Sequence, residues 1–294
     1  MLTGTMNQTR DNKKSWHRQV FLLVLIGLLI LRIPFFAGMR FFNIQWAWTE
    51  SVYQIGTYLL TTFLIWWEVD NLTDYHIDTL AVLIIILFEP VQTLVLKYRE
   101  LNDNLVAFPN ISSLIMWSIA IVFAIAMWLK RSKLPGIKSV GLGWLVIGIA
   151  AGFSTMVVLS YPVSFQVPAS SSLPLTPVFK RILTNIPSSF VLQIGWAAVA
   201  EEPLFRGFLW GFLKKRNWRE HWIWLFQAGL FTFSHIYYIN TLPIFFWIFV
   251  PVCTLVLGWL VWRSRTIATS MVAHGMINAT TADFSYLMAL LRVK

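Results

Sequence analysis

Nine apolar stretches dominate this chain, at about residues 20–38, 52–67, 79–96, 111–129, 139–161, 190–213, 222–241, 243–262 and 266–290. Most reach or approach the roughly 20 residues that carry a helix across a bilayer core. Backbone in lipid has no water to bond, so only helices or closed barrels can span it. These stretches are too long for barrel strands. The expected fold is all-α, a polytopic membrane helical bundle of about eight transmembrane helices. Composition agrees: 57% of the 294 residues are hydrophobic and 12% charged, against roughly 25% charged in soluble domains.

The net charge of +10 would suggest nucleic acid in a soluble protein. Here the cations fall in short runs between apolar segments, "KRSK" (130–133) and "KKRNWR" (214–219). Such runs mark cytoplasmic loops, so the expected partner is the lipid bilayer and not nucleic acid. Residues 1–19 are polar and basic, with Arg10, Lys13, Lys14 and Arg18, and read as a retained cytoplasmic tail. The apolar run behind them is too long for a signal-peptide core. From an N-terminus inside, alternation puts 68–78, 130–133, 214–219, Arg263 and Arg265 on the cytoplasmic side of the cell membrane. It also puts Lys97–Arg99 outside, an awkward place for cations, which leaves room for one of the first three segments not to span. The single cysteine, Cys253, excludes an intramolecular disulfide.

Residues 20–161 hold about five helices with few charges. A Pro- and Ser-rich connection follows at 162–181, and residues 182–294 carry nearly all the polar residues that fall inside apolar runs. These are Glu201, Glu202 and Arg206 on one segment, His235 on the next, and His274 with Asn278 on the last. Each costs a few kcal/mol at a bilayer centre, roughly 2.5–3.5 by insertion scales, and is tolerated when it faces the bundle interior. At about 1.5 Å per residue, Glu202 lies roughly 18 Å from Lys214, His235 about 21 Å from His221 and His274 about 14 Å from Arg265. A carboxylate and two imidazoles therefore reach similar depths on three helices.

Geometry separates their tasks. Glu202 and Arg206 are spaced i, i+4 and can pair along one face, whereas Glu201 points about 100° away. Pro203 has no N–H, so the Val199 carbonyl loses its helical donor. His274 and Asn278 share a face, as do Phe231 and His235. Such a set can activate water: a carboxylate takes the proton, an imidazole shares the water, and an amide donates to the oxyanion. Glu201, His235 and His274 could equally hold one zinc ion with an open fourth position. There is no H-E-x-x-H and no G-x-S-x-G.

In these residues the chain resembles the CAAX protease and bacteriocin-processing (CPBP, or Abi) family of intramembrane proteases. The family carries E-E-x-x-x-R, F-x-x-x-H and H-x-x-x-N on successive helices, and here these read Glu201-Glu202-Pro-Leu-Phe-Arg206, Phe231-Thr-Phe-Ser-His235 and His274-Gly-Met-Ile-Asn278. The resemblance covers about residues 180–290. It implies a central water-filled cavity and hydrolysis of peptide bonds in peptide or membrane-protein substrates, whether CAAX-type processing, peptide maturation or bacteriocin immunity. Carried over, Glu201 would activate water with His235, while His274 and Asn278 would polarise the scissile carbonyl. Glu202, Arg206 and Phe231 would support them. The family implies either glutamate-activated water or a metal.

Simpler readings compete. A lone histidine in a core is usually a satisfied packing residue, and His274 with Asn278 could be interhelical glue. Matching depth on three helices favours function. A non-catalytic immunity or scaffold protein, or a proton-coupled transporter, could use the same cluster. Arg32 is read as snorkelling to an interface with no role. His17, His76 and His221 are read as solvated loop residues.

Overall fold

A computed structural model describes residues 3–44, 46, 48–103, 111–136, 139–166 and 175–293, and every regular element among them is a helix. The α-helices are α1 (Thr3–Ile30), α2 (Gly38–Phe41), α3 (Thr49–Trp67), α4 (Thr79–Asp103), α5 (Ile111–Leu129), α6 (Ser139–Ser164), α7 (Leu175–Ala200), α8 (Trp210–Lys214), α9 (Glu220–Phe233), α10 (Val250–Ser264) and α11 (Ile267–Val293). A π turn, Leu31–Ala37, makes α1 and α2 one rod, and another, Pro203–Leu209, joins α7 to α8. Eight of the nine apolar stretches thus become one helical run each. Among the described residues, five spans are apolar and long enough to cross a membrane: Ser15–Phe41, Thr79–Leu96, Ile111–Leu129, Leu142–Ser164 and Phe245–Ser264. The chain is a multi-pass membrane protein, and exposed Leu23, Val122, Leu129, Val146 and Val158 lie on the surface that lipid covers.

Two boundaries differ from the sequence reading. No Gly or Pro stands between Thr5 and Ile26, so α1 starts at Thr3 and the polar N-terminal residues continue the first membrane helix. The run 222–241 stops being α-helical at Phe233. Ser234 Oγ and His235 Nδ1 both bond the Phe231 carbonyl, at 2.7 and 2.9 Å. The His235 N–H turns instead to the Thr232 carbonyl at 2.9 Å, so the α-helical pattern ends there. His235 therefore sits in a turn beyond a half-length helix and not in mid-helix. Of the connection at 162–181, residues 167–174 lie outside the described ones, and its ends belong to α6 and α7.

Among the described residues, all three π turns stand at prolines. Pro34 lies inside Leu31–Ala37, Pro203 opens Pro203–Leu209, and Pro251 follows Phe245–Phe249. A missing N–H frees a carbonyl one turn back, and the backbone accommodates this with a wider turn. Pro90, Pro162 and Pro187 sit in α-helices without one, so proline alone does not dictate it. Residues of the first and third, Arg32, Phe36, Phe245 and Phe249, line one cavity, and the second starts two residues after Glu201, which lines it too.

Helix α11 packs chiefly against α6 and α7. Glycines set both approaches: a Cβ on Gly275 would meet Ile194 Cγ1 at 2.5 Å, and one on Gly152 would strike the Ala273 carbonyl. Small residues let membrane helices come this close. At one end of the bundle the loops join. Lys133 pairs with Asp70 at 2.7 Å and Lys215 with Asp74 at 3.2 Å. The Ile267 N–H donates to the His76 carbonyl at 2.8 Å, and Thr79 Oγ1 donates to the Pro135 carbonyl at 2.5 Å. Residues 68–79, 130–135, 214–220 and 265–267 therefore share one face.

Candidate active site

The site begins where Pro203 breaks α7. The Val199 carbonyl that it frees accepts from Thr61 Oγ1 of α3, at 3.5 Å. Glu201 and Glu202 follow at the break and diverge as adjacent helical residues must. Glu202 turns inward and is fully buried with Arg206. Arg206 Nη1 donates to Glu202 Oε1 at 3.2 Å, and its Nη2 donates to Thr254 Oγ1 at 2.5 Å. The guanidinium lies over the Phe231 ring, 4.2 Å from its centroid. The same ring packs on His235 at 4.6 Å and edge-on to His274 at 5.9 Å. Phe231 is thus a spacer between the buried arginine and both imidazoles.

Glu202 also reaches α11, where His274 Nδ1 lies 2.8 Å from its Oε1. A carboxylate at one ring nitrogen fixes the tautomer and aims the other. With Nδ1–H donated to Glu202, His274 Nε2 faces Glu201 Oε2 at 3.5 Å. Glu202 was expected to serve Arg206 and in fact serves Arg206 and His274 together. His235 is set by the parallel device, its Nδ1–H donated to the Phe231 carbonyl and its Nε2 turned to the cavity. Nε2 lies 3.9 Å from Glu201 Oε1.

Glu201, His235, His274 and Asn278 line one cavity of about 380 Å³, within the range of small-ligand sites. Tyr237 and Phe249 help to close its walls. All four residues carried over as catalytic converge there, Phe231 lines the cavity beside them, and Glu202 and Arg206 stand behind. Glu201 is the only carboxylate among the described residues of its lining.

Two residues were read wrongly from sequence. Arg32 does not snorkel to an interface; it is 3% exposed and enters the cavity from the π turn after α1. Its Nη2 lies 2.5 Å from Glu201 Oε1 and 2.9 Å from His235 Nε2, and its Nη1 donates to Tyr53 Oη at 3.3 Å. An ionisable residue inside an apolar run is functional by default, and that signal was in the sequence. His76 was also misjudged. It is 4% exposed, packed edge-on against Trp210 in a left-handed backbone conformation at φ 56°.

The donor set does not fit a divalent metal as it stands. Glu201, His235 and His274 come together, but the Arg32 guanidinium occupies the space between the Glu201 carboxylate and the His235 lone pair. A fixed cation there opposes a second one. No group of three or more His, Cys, Asp or Glu among the described residues is arranged to hold a metal ion.

No curated protein and no solved structure matches the chain. Residues 184–280 match the profile of the Rce1-like type II CAAX prenyl endopeptidases. That segment holds Glu201, Glu202, Arg206, Phe231, His235, His274 and Asn278, and it leaves α1 to α6 unmatched. This Rce1-like match, over about a third of the chain, is consistent with the CAAX protease family of membrane proteases.

Proposed function

We propose that this chain is an intramembrane endopeptidase in which Glu201 activates the attacking water. The supporting observation is the placement of one cavity-facing carboxylate between two oriented histidines. Water held between Glu201 Oε2 and His274 Nε2 gives a proton to Glu201, and its oxygen attacks the peptide carbonyl carbon. The Asn278 amide donates to the oxyanion. The C–N bond then breaks, and the proton passes from Glu201 to the leaving amine. His235 supports the carboxylate from its Oε1 side.

The basic face formed by 130–135, 214–220 and 265–267 is assigned to the cytoplasm. The N-terminus joins it, because the His17 carbonyl accepts from Trp67 Nε1 beside Glu68. Substrates would be peptides or membrane-proximal protein segments, the family name pointing to prenylated C-termini. Purified protein in lipid is offered a peptide library that includes farnesylated C-terminal peptides. Wild type yields products, whereas Glu201→Ala and His235→Ala yield none. Equal cleavage by both variants overturns the reading. A wild type that cleaves nothing, while the variants still protect a host against a bacteriocin, supports an immunity or scaffold role.

A further inference from the structure

Four residues on the matched domain account for the chemistry just described, yet the closest contact to Glu201 comes from elsewhere. Arg32 lies outside residues 184–280, on the first helical run, and 203 positions separate it from His235. Pro34 widens the helix to a π turn around Arg32. Functional sites often carry such turns. The Phe36 ring supports the guanidinium 5.0 Å away, and Tyr53 of α3 accepts from Nη1.

We propose that Arg32 is a positioning residue of the hydrolytic site, so that the first membrane helix completes the active site. This rests on the protease reading above. Glu201 has two carboxylate oxygens with different surroundings. Oε1 meets Arg32 at 2.5 Å and His235 beyond it, whereas Oε2 faces His274 Nε2 at 3.5 Å. Arg32 therefore holds Oε1 and presents Oε2 to the water. One nitrogen, Nη2, reaches both Glu201 and His235, so a single group fixes the spacing of the two side chains. A planar guanidinium braced by Tyr53 and Phe36 can do this; a lysine ammonium, a point charge on a flexible stem, would not hold the same geometry.

The experiment measures kcat and KM on a peptide that wild type cleaves, for Arg32→Gln, Arg32→Lys and Arg32→Ala in the full-length protein. Misplacing a catalytic group by about 1 Å costs on the order of 10²-fold. Arg32→Gln and Arg32→Lys are expected to lose about that factor in kcat, with KM within about threefold. Arg32→Ala is expected to regain activity with millimolar guanidinium and not with urea, its neutral isostere. A merely structural counter-charge would lower thermal stability and leave kcat of the folded protein unchanged. That result overturns the proposal, as does equal rescue by urea. If Arg32→Gln does not fold, Arg32→Lys decides: wild-type kcat there, without guanidinium rescue of Arg32→Ala, also overturns it. A Glu201→Gln that is inactive beside a fully active Arg32→Gln removes Arg32's role and leaves the protease reading standing. A wild type that cleaves nothing removes both.

Discussion

The two adjacent glutamates behave as different residues because a helix turns about 100° between them. Glu202 is sealed against Arg206 and His274, and Glu201 opens to the cavity. That division was legible in the sequence, since i, i+4 spacing along one helix is local information. Arg32 was not assigned, because its partners Glu201 and His235 come from distant segments and no local spacing encodes their meeting. His76 fell to the same gap: its loop is polar, but the fold lays Trp210 and the start of α11 over it. Burial, with Arg265 and Lys214 nearby, lowers the His76 pKa to about 4 from an ordinary value near 6.5. The unfolded chain then binds the extra proton first, so stability falls as pH drops from about 6.5 toward 4 and levels off below that. His76→Asn keeps a residue that tolerates the left-handed backbone and removes the titration. Denaturant midpoints across this range should flatten in the variant, by up to a few kcal/mol at the acid end; an unchanged slope would place the acid sensitivity elsewhere.

Among the elements, the apolar stretches announced the helices, and turn chemistry set their ends. The short α9 was hidden because Ile236 to Ile239 is still apolar and aromatic, while the Phe231 carbonyl is taken by side chains and the His235 N–H turns to Thr232. Pro203 marked one break, and the structure adds wider turns at Pro34 and before Pro251. The position of α11 depends on Gly152 and Gly275, where its neighbours touch backbone to backbone. Gly152→Leu forces α6 away from Ala273 and shifts His274 with it. The expected outcome is a destabilisation of at least 1–3 kcal/mol, as overpacking brings, together with lost activity. Gly229, with open space where its Cβ would go, is the control. Gly229→Ala should leave activity intact and add about 0.5–1 kcal/mol of helix propensity. Equal effects from both substitutions would count against close packing as the cause.

Across the whole molecule, matched depth was the observation that sequence carried furthest. Glu202, His235 and His274 were each placed a similar distance inside one face, and that face is where the connecting loops gather. The unmatched N-terminal part of the chain does more than fill the membrane: the π turn after α1 supplies Arg32 to the site, and α3 supplies Tyr53 and Thr61. The central claim is that Glu201 activates water in this cavity without a metal. It is tested most directly by the cleavage rate of wild type and Glu201→Gln on one identified peptide, in lipid, with and without a strong chelator. The account predicts that wild type keeps its rate in chelator and carries no stoichiometric zinc, while Glu201→Gln falls by about 10²–10⁴-fold, the span general-base catalysis supplies. A Glu201→Gln rate within tenfold of wild type, or a wild-type rate abolished by chelator and restored by zinc, would contradict it.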